Sequence, residues 1–407
     1  MKIAVIGSKG LPPKEGGIEH HCAEIYPRMV AQGHSVDLFA RSFYTGSHDS
    51  GQFEYKGVRV FPLPCPNVFG LDVMVSSAMA SLLLCGKHYD IVHFHALGPA
   101  LFSWLPYLTS SAKVIVTCHG LDWQRAKWGK LAKNSILLGE RMAVLCAHEI
   151  ISVSEALQFY FLKTYGRGST YVPNAPAIYA KSDDSFTWGK SLGLERGRYI
   201  VFLGRLVPEK CPELAIRAFQ ALQPPGWKLV LVGGCTSPSY RAQLLNLTNN
   251  NPNILFTGEI TGGKLAEIVR GAGLSILPSN LEGLPMAMLE AMEEGIPIVA
   301  SDIPPHRQLL GNNRGVLFRT GDLSSCIQKL DWAIDNPYDL KVMAEQAKEH
   351  IRLNYNWDRI TATLLRLYEG TLNPPYYEIL CNLREVFAYP RTFSDVSSSQ
   401  IDMSLLG

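Results

Sequence analysis

The segment Leu274-Ser275-Ile276-Leu277-Pro278-Ser279-Asn280-Leu281-Glu282-Gly283-Leu284-Pro285-Met286-Ala287-Met288-Leu289-Glu290-Ala291-Met292 passes from a strand, through a turn, into a helix. The first four residues read as a buried strand that Pro278 ends. Pro285 suits a first helical turn, where its missing N–H costs nothing. Glu282 then sits on the loop, and Glu290 lies about two turns later on the helix. The free N–H groups of Leu284, Pro285's neighbour Met286 and Ala287 form an anion site at the positive end of the helix dipole. A phosphate bound there lies between two carboxylates. Each can accept hydroxyl hydrogen bonds from one side, as a nucleotide diphosphate sugar requires. The plainer alternatives are a loop acid at Glu282 and an internally satisfied carboxylate at Glu290. At Glu290 the flanking Leu289, Ala291 and Met292 make a carboxylate without a partner costly.

The same strand-to-loop pattern recurs twice. Strand Tyr199–Leu203 delivers Gly204-Arg205-Leu206-Val207-Pro208-Glu209-Lys210. Arg205 offers a bidentate fork and Lys210 a point charge, five residues apart, so the pair can clamp a diphosphate. Two solvated surface cations are the alternative. Near the start, strand Lys2–Ile6 runs into Gly7-Ser8-Lys9-Gly10, and Gly16-Gly17-Ile18-Glu19 opens a helix. Adjacent glycines let backbone N–H groups approach a phosphate, or simply make a tight turn with no ligand. A nicotinamide or flavin cofactor is the rival. It is weakened because G-x-G-x-x-G is absent and the second strand ends in Ala40-Arg41 rather than an acid. Arg41 leaves a 2′-phosphate open.

Working outward, β-branched runs alternate with amphipathic stretches throughout. Strands are expected at Lys2–Ile6, Ser35–Ala40, Val58–Phe61, Ile91–Phe94, Lys113–Thr117 and Glu149–Ser152. After a break they resume at Tyr199–Leu203, Lys228–Val232, Asn253–Phe256, Leu274–Leu277, Ile296–Ala300 and Gly315–Phe318. Interleaved helices make this α/β, with parallel sheets covered on both faces. Pro173–Ser185 carries turn residues and a Ser-Asp-Asp-Ser run and reads as a linker. The expected organisation is a first domain over 1–177, a linker over 178–198, a second domain over 199–355, a crossover helix over 356–372 and a tail over 373–407. Within that tail the Ser-rich Thr392–Gln400 is expected to be mobile.

Composition narrows the class. Of 407 residues, 47% are hydrophobic and 18% charged, which excludes disorder over most of the chain. A net charge of +2 makes a general nucleic-acid binder a poor candidate. The charge is uneven: residues 1–177 hold 16 Lys/Arg against 12 Asp/Glu, the remainder 22 against 24. Nine widely spaced cysteines without a CxxC pair, and a Met1 that runs straight into a strand, fit a reducing cytosol. The apolar run Val73–Cys85 is too short to span a bilayer and reads as a core helix.

The acids Glu282 and Glu290 around Gly-x-Pro, preceded by Pro278-Ser279 and followed by Ala291-Met292-x-x-Gly295-x-Pro297-x-Val299-Ala300-Ser301, resemble the family-four retaining glycosyltransferases. Gly204-Arg205-x-x-x-Glu209-Lys210 resembles their diphosphate clamp, and Gly16-Gly17-Ile18-Glu19 their N-terminal glycine loop. The resemblance runs from Met1 to about Gly370. It implies the GT-B architecture: two Rossmann-like doubly wound domains facing across a cleft, with C-terminal helices crossing back to the first. It implies that Arg205 and Lys210 neutralise the leaving diphosphate and that Glu290 binds the nucleotide ribose. Glu282 and the Gly283–Ala287 backbone would hold sugar and phosphate. His119, in Thr117-Cys118-His119-Gly120, matches a cleft histidine near the transferred sugar; a strand-end histidine satisfied by backbone is the alternative. Cys211 departs from the glycine frequent after the clamp lysine, and Asn174-Ala175-Pro176 from an Asn-Gly turn.

The expected chemistry is transfer of a hexose-type sugar from a UDP- or GDP-sugar co-substrate to an acceptor hydroxyl, with retention. Arg205, Lys210 and the helix terminus stabilise the departing charge. No metal site is expected, since no DxD-like motif occurs, and His93 and His95 read as strand-end packing. Trp123–Lys133 holds four cations and two tryptophans, among them Arg125 and Lys127. It suits an anionic or lipid-linked acceptor or the inner membrane face, or else is a solvated surface. Glu19 and the Lys9–Glu15 loop are placed toward the acceptor. The competing classes are a nucleotide-sugar 2-epimerase of the same fold and a non-catalytic nucleotide-sugar-binding subunit.

Overall fold

The computed structural model describes residues 1–373 apart from 14–15, 46–50, 69 and 126, so the expected tail lies outside the described residues. The first domain is built on an eight-stranded sheet. Its strands are β1 (Lys2–Ile6), β2 (Ser35–Arg41), β3 (Phe53–Tyr55), β4 (Val58–Leu63), β5 (Ile91–His95), β6 (Lys113–Cys118), β7 (Glu149–Ser152) and β8 (Thr170–Tyr171). Their order is β3-β4-β2-β1-β5-β6-β7-β8, parallel except where β3 pairs antiparallel with β4. The second sheet holds β9 (Tyr199–Leu203), β10 (Lys228–Val232), β11 (Ile254–Gly258), β12 (Leu274–Leu277), β13 (Ile298–Ser301) and β14 (Val316–Phe318). It is parallel throughout, in the order β11-β10-β9-β12-β13-β14.

Both sheets are doubly wound, and strand order reverses at β1/β5 and at β9/β12. Those reversals open crevices at the strands' carboxyl ends, where ligands of such folds bind. The clamp loop follows β9 and the Glu282 loop follows β12, so topology places both motifs at one switch point. Central strands are buried on both faces, as in Ile3, Ala4 and Val5 or Leu229, Val230 and Leu231.

The C-terminal helix Trp357–Leu372 starts at Asn356, whose side chain accepts from Asp358 N and Arg359 N. It crosses back onto the first domain, as expected. Trp357 Nε1 donates to Pro176 O at 3.0 Å, and Arg28 Nε meets Asp358 Oδ1 at 2.8 Å. The linker differs from expectation over its second half. Residues Thr187–Ser191 form a short helix in which Gly189 N donates to the buried Glu267 carboxylate at 2.8 Å. The Phe186 ring stacks on Tyr199. This part packs as one piece with the second domain.

The eight cysteines described are free thiols. Among the described residues no helix is long and apolar enough to cross a membrane.

Candidate active site

The clamp loop and the acid loop are laced together. Asn280 N donates to Glu209 O at 2.9 Å; the clamp loop is also tied to the loop after β10, where Leu206 N donates to Gly234 O at 2.8 Å. Gly204 has a φ of +146°, and a Cβ there would press on the Lys210 stem, so the lysine folds back over the glycine. Lys210 Nζ then reaches Glu282 Oε1 at 2.7 Å, and Ser279 Oγ donates to the same oxygen at 2.8 Å. Burial works to raise the Glu282 carboxyl. The Lys210 ammonium, His306 and the two hydrogen bonds outweigh it and hold the group below its ordinary value. Cys211, where a glycine is frequent, adopts a φ of +48°, and carries the left-handed backbone that glycine would carry more easily. Arg205 is exposed and, among the described residues, has no ion-pair partner.

Glu290 behaves differently. Its Oε2 accepts from the Tyr179 hydroxyl at 2.7 Å. Burial raises its carboxyl to about 7, against the opposing pull of the Tyr179 bond and the Lys210 charge. Tyr179, a linker residue, was not foreseen.

Across the cleft lies the first domain. Gly17, at the start of helix Gly17–Ala31, lies so close to Met286, at the start of helix Met286–Glu293, that a Cβ on it would touch the Met286 side chain at 3.4 Å. Two helix N-termini therefore converge on one space. Gly283 approaches still closer: a Cβ there would collide with the His119 carbonyl. Leu284 and Pro285 are buried, and Ala287 is partly so.

Several first-domain residues sit elsewhere than the sequence placed them. Arg125 pairs with Asp122 at 3.0 Å and lies beside Gly120. The charges of Asp122, and of Glu282 and Glu209 in the second domain, raise it. Lys127 is an exposed residue whose ammonium lies 4.7 Å over the Trp128 ring; partial burial of that group, then the charges of Arg125 and Arg205, lower it to about 8. Both cations thus lie within reach of second-domain charges, Arg125 of Glu282 and Glu209 and Lys127 of Arg205 and Glu209. The tryptophans beside them are not free either: Trp123 Nε1 donates to the buried Glu140 at 3.0 Å, and the Trp128 ring packs against Gly70. Glu19 is buried and turns its carboxylate back onto the glycine loop, accepting from Lys9 N at 2.9 Å. It braces that loop instead of presenting a free acid to an acceptor. Arg41 Nη1 is closed by Asp72 Oδ2 at 2.7 Å, both buried, which removes the one feature that kept a 2′-phosphate dinucleotide open.

His119 stands in a cluster. Its Nε2 lies 3.0 Å from His95 Nδ1, and the His21 ring is 5.2 Å away, centroid to centroid. His95 Nε2 meets the Tyr26 hydroxyl at 2.6 Å, which also meets His93 Nδ1 at 3.0 Å. Tyr368, from the crossover helix, reaches His93 Nδ1 at 2.6 Å. Asn174, whose role was open, accepts from His21 Nδ1 at 2.7 Å. Burial lowers all four histidines, His21 to about 4, and the mutual repulsion of charged forms lowers His93, His95 and His119 further. His93 and His95 are packed as expected, but within a polar network that ends at the cleft.

Two family models match this chain: "Glycosyltransferase Family 4" over residues 15–175 and "Glycosyl transferases group 1" over residues 184–350. The chain belongs to glycosyltransferase family 4. An uncharacterized glycosyltransferase of Methanocaldococcus jannaschii is 24% identical over 397 residues, spanning 91% of this chain and 98% of that protein. A D-inositol 3-phosphate glycosyltransferase of Rhodococcus erythropolis is 23% identical, spanning 87% of this chain and 86% of that one. Among solved structures, sucrose-phosphate synthase from Thermosynechococcus elongatus superposes with a TM-score of 0.77 at 20% identity, covering 91% and 98% of the two chains. The Anabaena HepE protein in complex with UDP-glucose gives 0.74 at 17%, covering 91% and 100%. These neighbours share the GT-B fold of this glycosyltransferase-family chain.

Residues missing from the sequence reading have long-range causes. His21 looks like a polar position on an amphipathic helix until Trp357 packs over it at 5.9 Å between ring centroids. His306 stands just past β13 with Nδ1 2.8 Å from Ser301 O; burial lowers its imidazole to about 4, while its charged form would hold Glu282 down. The Ile303-Pro304-Pro305 turn after a strand was its available signal.

Proposed function

We propose that this protein transfers a hexose-type sugar from a nucleotide diphosphate sugar to an acceptor hydroxyl with retention of configuration. The observation that carries this is the convergence of Arg125, Lys127, Arg205 and Lys210, with two helix N-termini, on the crevice at β9/β12. As the diphosphate departs, negative charge grows where those groups already point, and no reorganisation is needed to meet it. On this reading a metal ion at the diphosphate is superfluous. Glu290, freed from Tyr179, accepts the ribose hydroxyls. Glu282, pinned by Lys210 and Ser279, holds sugar hydroxyls and is not a nucleophile. His119 faces the transferred sugar. Attack then comes from the face the diphosphate leaves.

The donor is a UDP- or GDP-sugar; that the Anabaena neighbour was solved with UDP-glucose supports the former. The acceptor belongs to polysaccharide or glycolipid assembly. A peripheral membrane contact fits a different face from the one expected. Leu82, Leu83, Leu108 and Leu145 are exposed on three first-domain helices, Leu71–Leu84, Trp104–Thr109 and Lys130–Cys146, of which the middle one packs on both others. Exposed Lys87 and Arg141 lie on or beside them. An apolar face with cations suits an anionic bilayer.

The test is a thermal-shift panel of nucleoside diphosphates and their sugars on wild type and Lys210→Ala. A nucleotide sugar at a hundred times its Kd stabilises by about 2.7 kcal/mol, and the variant loses that shift. Incubation with donor alone separates the epimerase: a new nucleotide sugar without an acceptor would replace the transfer reading.

A further inference from the structure

Ring nitrogens of His21, His95 and His119 all lie within 4.8 Å of one another. They come from three elements that meet at the β1/β5 switch point: the helix after β1, the end of β5 and the residue after β6. Each of the two deeper rings has its far nitrogen fixed by an oxygen. His21 Nδ1 is held by Asn174 Oδ1 at 2.7 Å, and His95 Nε2 by the Tyr26 hydroxyl at 2.6 Å. With its proton committed to Asn174 on Nδ1, His21 keeps a bare lone pair on Nε2. That Nε2 is buried and has no hydrogen-bond partner, in a residue only 2% exposed. A buried nitrogen without a partner costs free energy and calls for an explanation.

We propose that His21, His95 and His119 form a binding site for a divalent transition-metal ion of the zinc class. Three neutral imidazoles suit zinc or its borderline neighbours and not magnesium or calcium, which take oxygen. Zinc holds imidazole nitrogens at about 2.0–2.1 Å, so tetrahedral ligand nitrogens stand ~3.4 Å apart. The His95 Nδ1 to His119 Nε2 separation is 3.0 Å, so the pair opens only a few tenths of an ångström to admit the ion. The ion also supplies the missing partner of His21 Nε2. Oxygen groups behind ligand rings orient them and raise their basicity, the function Asn174 and Tyr26 serve here. His119 alone of the three is partly accessible from the cleft, so a water or an incoming hydroxyl completes the fourth position on its side. The site uses first-domain residues only and is separate from the diphosphate cations; it shares His119 with the sugar-facing role proposed above, so its test reads metal uptake and not transfer.

The test uses the full chain, stripped with a chelator and titrated with Zn2+ by calorimetry, with metal content counted by elemental analysis. Wild type takes up one ion per chain, and excess Mg2+ does not compete. His21→Ala weakens uptake at least tenfold. Asn174→Ala, which removes no ligand, weakens it about ten- to a hundredfold. Cooperative thermal unfolding checks that each variant is folded, and Asn174→Ala stands in if His21→Ala is not. No uptake by wild type would overturn the site and leave a water as the partner of His21. Uptake unchanged in the folded variants would overturn it equally, by placing the ion elsewhere.

Discussion

Donor binding should pass through a maximum in pH set by two groups on opposite sides of the cleft. Burial raises Glu290 to about 7, and in the ribose-binding role proposed for it only the ionised form accepts two hydroxyls. Lys127, though exposed to solvent, is lowered to about 8 by partial burial of its ammonium and by the nearby charges of Arg125 and Arg205, and in the proposed role only its charged form attracts the diphosphate. The sign follows directly. Affinity is lost as pH falls through 7, where Glu290 protonates, and again as pH rises through 8, where Lys127 discharges. If the competent protein is the fraction with both groups charged, that fraction is ~0.09 at pH 6, ~0.58 at pH 7.5 and ~0.23 at pH 8.5. The apparent Kd should thus be about sixfold tighter at pH 7.5 than at pH 6, roughly 1 kcal/mol, and two- to threefold tighter than at pH 8.5. Calorimetry with an intact nucleotide sugar is the suitable assay, because its diphosphate has no second ionisation in that range. Glu290→Gln should flatten the acid limb and keep the alkaline one, and Lys127→Met the reverse. A wild-type affinity that is level from pH 6 to 7.5, or an acid limb that survives Glu290→Gln, would refute the reasoning.

Other substitutions probe the same cleft. Tyr179→Phe removes a hydrogen bond that lowers Glu290, so the acid limb of the binding profile should move to higher pH. Gly283→Ala puts a methyl against the His119 carbonyl and holds the domains apart; kcat should fall ~100-fold while thermal unfolding stays near wild type. Lys210→Met removes a charge from the departing diphosphate and leaves Glu282 without its cation; kcat should fall by ~10²–10³, with initial-rate kinetics as the check. Exchanging Leu82, Leu108 and Leu145 together for Ser should weaken co-sedimentation with anionic vesicles, and Arg125→Glu should not, since its side chain faces the other domain.

Much of the frame was legible because central strands of a doubly wound sheet are short β-branched runs, and these stand out in any order. β3 and β8 did not, since edge strands of two or three residues carry no pattern. The helix Thr187–Ser191 was illegible for a related reason: it contains Gly189 and is held from outside by Glu267. Within the site, Glu282, Glu290, Arg205 and Lys210 announced themselves by spacing, because strand end, loop and helix start fix where they can stand. Arg125 and Lys127 were recognised as cations, but whether they face an acceptor, a membrane or solvent was left open by the sequence. Their direction depends on Trp123 bonding Glu140, a contact 17 positions away. Tyr179 on Glu290, Asn174 on His21 and Tyr368 on His93 span 111, 153 and 275 positions. No local pattern encodes such pairs; they exist only once the linker and the crossover helix have docked.

The central claim is that the charged crevice between the domains releases a nucleoside diphosphate and passes its sugar on with retention. The most direct measurement is proton NMR of the product formed from an α-linked nucleotide sugar and an acceptor-bearing lipid or oligosaccharide fraction. The anomeric coupling should report an α-glycoside, with one nucleoside diphosphate released per sugar transferred. A β-glycoside, or a donor consumed to another nucleotide sugar with the diphosphate intact, would contradict it.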